Sequence, residues 1–216
     1  MAGSNILNEH QFAGVVLVLA FITFAIGASL PLLGEKGNPG FYALPMREHL
    51  LAVANNAVVW RWANVFMGAA IVFLVAGLTM LTTILEGTGE RTLSRLGLAG
   101  MLMAAVLWLV FSAFRATVTT GAAQEMIATG AVPPYYEPLA RWGSAMFFAY
   151  AMLGFLALAA YGGSILQTGL LPAWTGWVTI LFSLATLVLL LVTGDTLPAF
   201  HYLPPLLIGI LLLVRR

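Results

Sequence analysis

Long apolar runs separated by short polar punctuation set the pattern of this chain. Runs long enough to cross a bilayer, about 20 mostly apolar residues, fall at 12–33, 65–85, 96–120, 142–166, 173–192 and 198–214. Six crossings bring both ends of the chain to one side. One stretch interrupts the pattern, 45–64, PMREHLLAVANNAVVWRWAN. Read as a helix over 45–59, it sets Glu48 seven residues from Asn55 and His49 seven from Asn56, so the four share an arc of about 120°. Leu50, Leu51, Ala54 and Val58 lie opposite. Such a helix is too short and too polar to span and suits the membrane surface. Trp60 and Trp62 beside it match an aromatic belt at headgroup level. The expected fold is an all-α integral membrane protein. Six transmembrane helices, plus an interfacial amphipathic helix between the first and second spans, form one membrane domain over 1–216.

The punctuation refines this picture. Pro31 closes the first run, and the loop 34–44, GEKGNPGFYAL, is rich in turn residues. The turn 86–95, EGTGERTLSR, offers Thr92 or Ser94 as a helix cap. In the third span Trp108, Ser112, Arg115 and Thr119 share a stripe that Ala104 and Met101 continue. Small and polar residues collect at helix–helix contacts, so this face is expected to look into the bundle. The connection 121–141 holds a short helix over 124–129 ended by Gly130, then an extended turn at Pro133-Pro134. Pro172 suits the first position of the fifth helix, and Trp174 and Trp177 mark the interface. Thr175, Thr179, Ser183 and Thr186 form a stripe read as packing, with hydroxyls bonded to carbonyls of the preceding turn. The sixth run opens on His201, Tyr202 and Pro204-Pro205, and the prolines disturb its first turns. Broken backbone at membrane depth is tolerated only against protein or a wet cavity.

Composition agrees with a membrane protein. Hydrophobic residues make up 61% of the 216, charged residues 8%, and mean hydropathy is +0.98. So few charges cannot clothe a water-facing surface, because soluble domains carry about a quarter. The absence of cysteine excludes disulfides, thiol catalysis and cysteine-bound metal. A net charge of +1 gives no basis for a nucleic-acid partner. The leader MAGSNILNEHQF has no Lys or Arg, so the first run reads as a span and not as a signal peptide. Arg91, Arg95, Arg215 and Arg216 fall on the side of the termini; Lys36, Arg47, Arg61 and Arg141 fall on the other, with Arg115 just inside. The basic count is nearly balanced. Short loops on the first side, and acid-bearing connections with Glu35, Glu48, Glu125, Glu137 and Asp195 on the second, put the termini in the cytoplasm.

The second half carries a further pattern. Tyr161-Gly162 ends the fourth span, followed by Gly169-Leu170-Leu171-Pro172-Ala173-Trp174-Thr175-Gly176-Trp177 and later by a Leu-Pro-Pro-Leu-Leu-Ile-Gly run at 203–209. In these segments the chain resembles small polytopic bacterial inner-membrane proteins of an uncharacterised, domain-of-unknown-function family. The resemblance implies a multi-pass protein of a bacterial inner membrane and supplies no catalytic residue.

Candidate chemistry gathers on the side opposite the termini. Arg115 lies about 7–8 Å inside the end of its helix. It either snorkels to the headgroups or pairs with Glu48, Glu125 or Asp195, since a charge in a span is normally paired or faces water. His49 and His201 come from different helices. They are read either as interfacial histidines bonded to neighbours or as axial ligands of a haem or part of a metal site. Glu48, His49, Glu125 and Asp195 have no spacing that demands a hard-metal or hydrolase site, and Ser112 and Ser144 lack a basic partner. The ligand-binding set is therefore Glu48, His49, Asn55, Asn56, Arg115, Glu125, Asp195 and His201, with no catalytic or metal set and no cofactor indicated. The 45–59 helix is expected to close a pocket over the bundle, its polar arc aimed at the ends of the third and sixth spans.

These features read as a non-catalytic polytopic membrane protein. Its outer-side polar pocket binds a lipid, pigment or other amphiphile, or it docks as a subunit of a larger membrane complex. Its partners are the bilayer, the amphiphile and neighbouring membrane subunits. The alternatives are a small-molecule transporter or membrane enzyme, and a haem-binding redox protein using His49 and His201. Apolar midplane positions at Gly77, Met103, Phe155 and Val188 argue against an ion path.

Overall fold

The computed structural model describes residues 8–34 and 44–215. Loop residues Glu35 and Lys36, and Arg216, lie outside the described residues. The described chain forms eight α-helices: α1 Glu9–Gly34, α2 Met46–Asn55, α3 Ala57–Gly87, α4 Thr92–Phe114, α5 Thr120–Thr129, α6 Tyr136–Thr168, α7 Ala173–Thr193 and α8 Leu203–Val214. A π-turn, Arg115–Thr119, joins α4 to α5 without a break, and a 3₁₀ turn, Pro198–His201, precedes α8. Five helical runs are long and apolar enough to cross a membrane: α1, α3, the continuous Thr92–Thr129, α6 and α7.

Several helix ends differ from the sequence reading. Pro31 lies inside α1, which continues to Gly34. The expected 45–59 helix breaks at Asn56 (φ −133°, ψ 39°), so α2 has 10 residues and 58–60 belong to the first turn of α3. Trp60 is consequently buried among helices and is no belt residue, whereas Trp62 is exposed. The short helix expected at 124–129 begins at Thr120 and continues α4 through the π-turn. Its end is as expected: Gly130 takes φ +78° and its N–H returns to the Met126 carbonyl, the left-handed cap that glycine adopts without strain.

The core follows the expected faces. Met101, Ala104, Trp108, Ser112 and Thr119 are buried along one stripe of α4 and the π-turn. The Thr175, Thr179, Ser183 and Thr186 stripe of α7 is buried, with the Thr179 and Thr186 hydroxyls bonded back to Thr175 and Phe182 carbonyls. α1 packs on α3 and α8, α4 on α6, and α6 on α7. At Gly162 and Gly176 the α6–α7 crossing brings backbone to backbone. A Cβ on either would stand within 2.8 Å of the other's carbonyl oxygen. Away from this core, α2 packs its Leu50, Ala52 and Val53 with Ala122, Ala123 and Met126 of α5.

The last segment is a half-helix. α8 has 12 residues, about 18 Å at 1.5 Å per residue, against the roughly 30 Å of a bilayer core. Its start is deep within the bundle. His201 packs on Tyr150 and Phe155 at the middle of α6, and Phe200 meets Phe182 at the middle of α7. From the end of α7 the chain therefore descends through 194–201 as turn and 3₁₀ before α8 completes the passage. A helix that starts inside a protein leaves orphan N–H groups. Pro204 and Pro205 in its first turn have no N–H to orphan. The double proline thus suits a buried helix start more than it damages one.

Candidate functional site

The volume left by the missing half-helix is a cavity of about 740 Å³. Its walls come from α1 (Phe24, Ala28), α2 (Met46, His49), α3 (Trp60, Met67), the α4 end and π-turn (Phe111, Phe114, Arg115, Thr119), α6 (Tyr136, Ser144, Phe147) and the descending loop 194–199. This size falls in the range of small-molecule sites, which are mostly apolar with a few placed polar groups.

Arg115 is fixed through Trp60. The Trp60 indole N–H donates to the Arg115 carbonyl at 2.7 Å. The same ring lies under the guanidinium, with the guanidinium carbon 4.5 Å from its centroid. The Phe111 ring is 5.5 Å away, and Nη1 reaches the Met67 sulfur at 3.8 Å. Cation–π contact of this kind holds an Arg head over an aromatic face while its N–H donors point outward in the ring plane. The π-turn that begins at Arg115 shifts its carbonyl out of the α ladder, and such turns recur at functional sites. His49 stands edge-on to Trp60 with ring centroids 5.2 Å apart. Trp60 is held in turn by Asn64, whose amide donates to the Trp60 carbonyl at 2.8 Å.

Of the eight residues singled out by sequence, His49, Arg115 and Asp195 come together at this cavity. Glu48 and Asn55 are exposed and do not line it, and Asn56 forms the break between α2 and α3. The polar arc of α2 is therefore only partly turned inward, through His49. It splits because α2 must give its apolar side to α5. Glu125 is exposed and accepts from the Tyr135 hydroxyl at 2.9 Å, a bond that holds the Tyr135 phenol above its usual range. The expected Arg115 pairing with Glu48, Glu125 or Asp195 does not form among the described residues, whose ion pairs are Arg95–Glu86 and Arg141–Glu137.

His201 lies elsewhere. It is fully buried, stacked on Phe155 at 3.9 Å, with Nε2 3.2 Å from the Ala151 carbonyl oxygen. It does not share the cavity with His49, so the two do not form one axial pair. Among the described residues no three His, Asp or Glu side chains cluster as metal ligands.

The sequence reading missed the aromatic wall of Phe24, Phe111, Phe114 and Phe147, and it missed Thr196. These look like ordinary core residues in a row of apolar letters. Only the descent of 194–199 turns their faces into a cavity. No family model, no curated protein and no solved structure matches the chain.

Proposed function

We propose that the chain is a six-crossing membrane protein that holds an amphiphile in the cavity beneath α2, with the polar head at Arg115 and His49 and the apolar part against the phenylalanine wall. The five long helices together with 198–214 make the crossings in this reading. α2, pinned on α5, lies at the outer membrane surface. The termini face the cytoplasm of a bacterial cell, as the loop charges and the family resemblance imply.

The observation that carries the reading is the half-helix. Irregular backbone at membrane depth is tolerated only where it lines a cavity or packs in protein, and 194–199 lines this one. Arg115 and His49 set polar groups beside an apolar wall in one cavity, and an amphiphile matches both surfaces. Trp108, Tyr150 and Phe155 are fully buried, with Trp108 and Tyr150 in ring contact at 4.6 Å, and this aromatic packing supports binding over passage through the bundle.

The test is native mass spectrometry of protein extracted in mild detergent with no lipid added. A bound amphiphile should survive on the parent and be lost when Trp60→Ala removes the platform under Arg115. Adduct-free parent protein, still folded, would refute the reading.

A further inference from the structure

We propose that the cavity opens sideways into the leaflet on the α2 side, between the outer half of α6 and the loop 194–199, and that its occupant is a long-chain bilayer lipid whose tail leaves through this opening. This rests on the amphiphile reading and adds the source of the amphiphile and the route it takes.

The 3₁₀ turn acts as a wedge. α6 and α7 touch backbone to backbone at Gly162 and Gly176. Further out, one ring from each helix packs on the turn: Phe155 of α6 stacks on His201 at 3.9 Å, and Phe182 of α7 meets Phe200 at 5.7 Å. The turn therefore stands between the two helices, and the loop leading into it lines the cavity. Exposure marks where the cavity ends. Its inner walls are closed, with Phe24 4%, Trp60 1% and Phe114 8% exposed. Leu197 lines the same cavity and is 62% exposed. Ser144 lines it from α6 and is exposed as well. A side chain that lines a cavity and yet shows most of its surface stands at the mouth, so Leu197 and Ser144 mark its two edges.

Depth decides what the mouth faces. His201 packs at the middle of α6, where a Cβ on Gly154 would stand 2.6 Å from its ring. Leu197 lies one 3₁₀ turn before it, about 8 Å at 2.0 Å per residue. That is within the half-thickness of a bilayer core, about 15 Å. Ser144 precedes Gly154 along α6 by about 15 Å of helix, which puts it at the edge of the hydrocarbon. The mouth therefore runs from headgroup level down among the lipid chains. An apolar side chain as open as Leu197 at this depth faces those chains and not water. A water-borne amphiphile has no use for such a side slot. A lipid standing in the leaflet keeps its tail among its neighbours and places only its head and first methylenes inside. Its tail then need not fit the cavity of about 740 Å³, so chain length does not limit binding.

The chain has no cysteine, so a single thiol can be placed at the mouth. The experiment measures equilibrium binding of octanoyl and stearoyl lysophosphatidylcholine to the detergent-solubilised full chain carrying Leu197→Cys, before and after reaction with benzyl methanethiosulfonate. The unmodified variant should bind both lipids. The benzyl adduct should weaken the stearoyl lipid about tenfold and leave the octanoyl lipid nearly unchanged, since keeping about two methylenes from apolar surroundings is worth that factor. Dithiothreitol removes the adduct and should restore binding. Ser144→Cys modified in the same way should repeat the result from the α6 side, and Val188→Cys, on the exposed face of α7, should show no change. If the adduct at 197 weakens both lipids equally, or neither, the side opening is overturned and amphiphile binding stands. If neither lipid binds to the folded parent, the amphiphile reading fails and this inference fails with it.

Discussion

Glu90 offers a test of the fold that is independent of any ligand. It sits in the turn between α3 and α4 and is buried. One carboxylate oxygen accepts from the Leu93 N–H at 2.6 Å, the other from the Ser94 N–H at 3.0 Å and from the Ser164 hydroxyl. Two orphan donors of the first turn of α4 are thereby satisfied, and α6 is tied to the same point. Burial by itself pushes the carboxyl up, but the hydrogen bonds from Ser164, Leu93 and Ser94 together hold it below its ordinary value of 4.5. Removing a helix cap costs about 1 kcal/mol, and leaving buried donors unmet costs about 1–3 kcal/mol more. Glu90→Ala should therefore lose about 2–4 kcal/mol, read by thermal or denaturant unfolding in detergent at pH 7. Glu90→Gln retains shape but turns an NH₂ toward one of the two backbone donors, so it should fall between Glu90→Ala and the parent.

The pH dependence has a definite sign. A carboxyl with a lowered folded pKa contributes stability that is complete above the unfolded pKa and lost as pH falls through the folded one. The gap between parent and Glu90→Gln should be constant from pH 7 to about 5 and shrink below 4.5. A Glu90→Ala variant as stable as the parent at pH 7, or a gap that widens on acidification, would refute the capping argument. Glu86→Gln, at an exposed pair with Arg95, serves as the control and should change little.

Two further predictions bear on the half-helix and on the orientation. A Cβ on Gly154 would stand 2.6 Å from Cδ2 and 2.8 Å from Nε2 of His201. Gly154→Ala should therefore cost about 1–3 kcal/mol by overpacking, and pairing it with His201→Ala should remove the clash; a fully stable Gly154→Ala would mean that His201 is not seated at the middle of α6. In single-cysteine variants of intact cells, an impermeant thiol reagent should label Thr129→Cys and spare Thr88→Cys and Gln167→Cys, all three positions being exposed in the structure; the opposite pattern would reverse the assigned orientation.

The crossings were legible because lipid imposes a coarse rule, and five of the expected runs are long apolar helices in the structure. Helix faces were legible for the same reason: the Trp108–Ser112–Thr119 stripe is where polar and small groups cannot face lipid. Helix ends were less legible where one helix runs on beyond its apolar part. α3 starts at Ala57, through Trp60 and Asn64, because those side chains find partners inside the protein. The fate of the α2 arc could not be read from its own periodicity, because the competing demand came from α5. Counting from the end of the run puts His201 near the outer surface. The descent of 194–201 carries it to the middle of α6 instead, and no local signal distinguishes a short span from a half-span.

The half-helix links these observations. A complete sixth helix would fill the outer half of the bundle and cover Phe24, Phe111, Phe147 and Trp60 with side chains. Replacing its first turns by extended backbone removes those side chains but leaves carbonyls and N–H groups that lipid cannot satisfy. The chain meets that demand locally. Thr193 bonds both the Asp195 N–H and carbonyl, Asp195 bonds the Thr196 N–H, the 3₁₀ turn pairs Phe200 and Tyr202 to Leu197 and Ala199, and the prolines of α8 have no N–H to satisfy. A loop so thoroughly self-bonded can keep a cavity open without collapsing onto the phenylalanine wall. It also carries the one aspartate of the chain to the rim of that cavity. The same economy operates across from it, where one indole both satisfies the π-turn carbonyl and supports the guanidinium. Asp195 is thus positioned by hydrogen bonds of its own loop and Arg115 by the Trp60 ring, and preorganisation of this kind reduces the cost of ordering a site on binding.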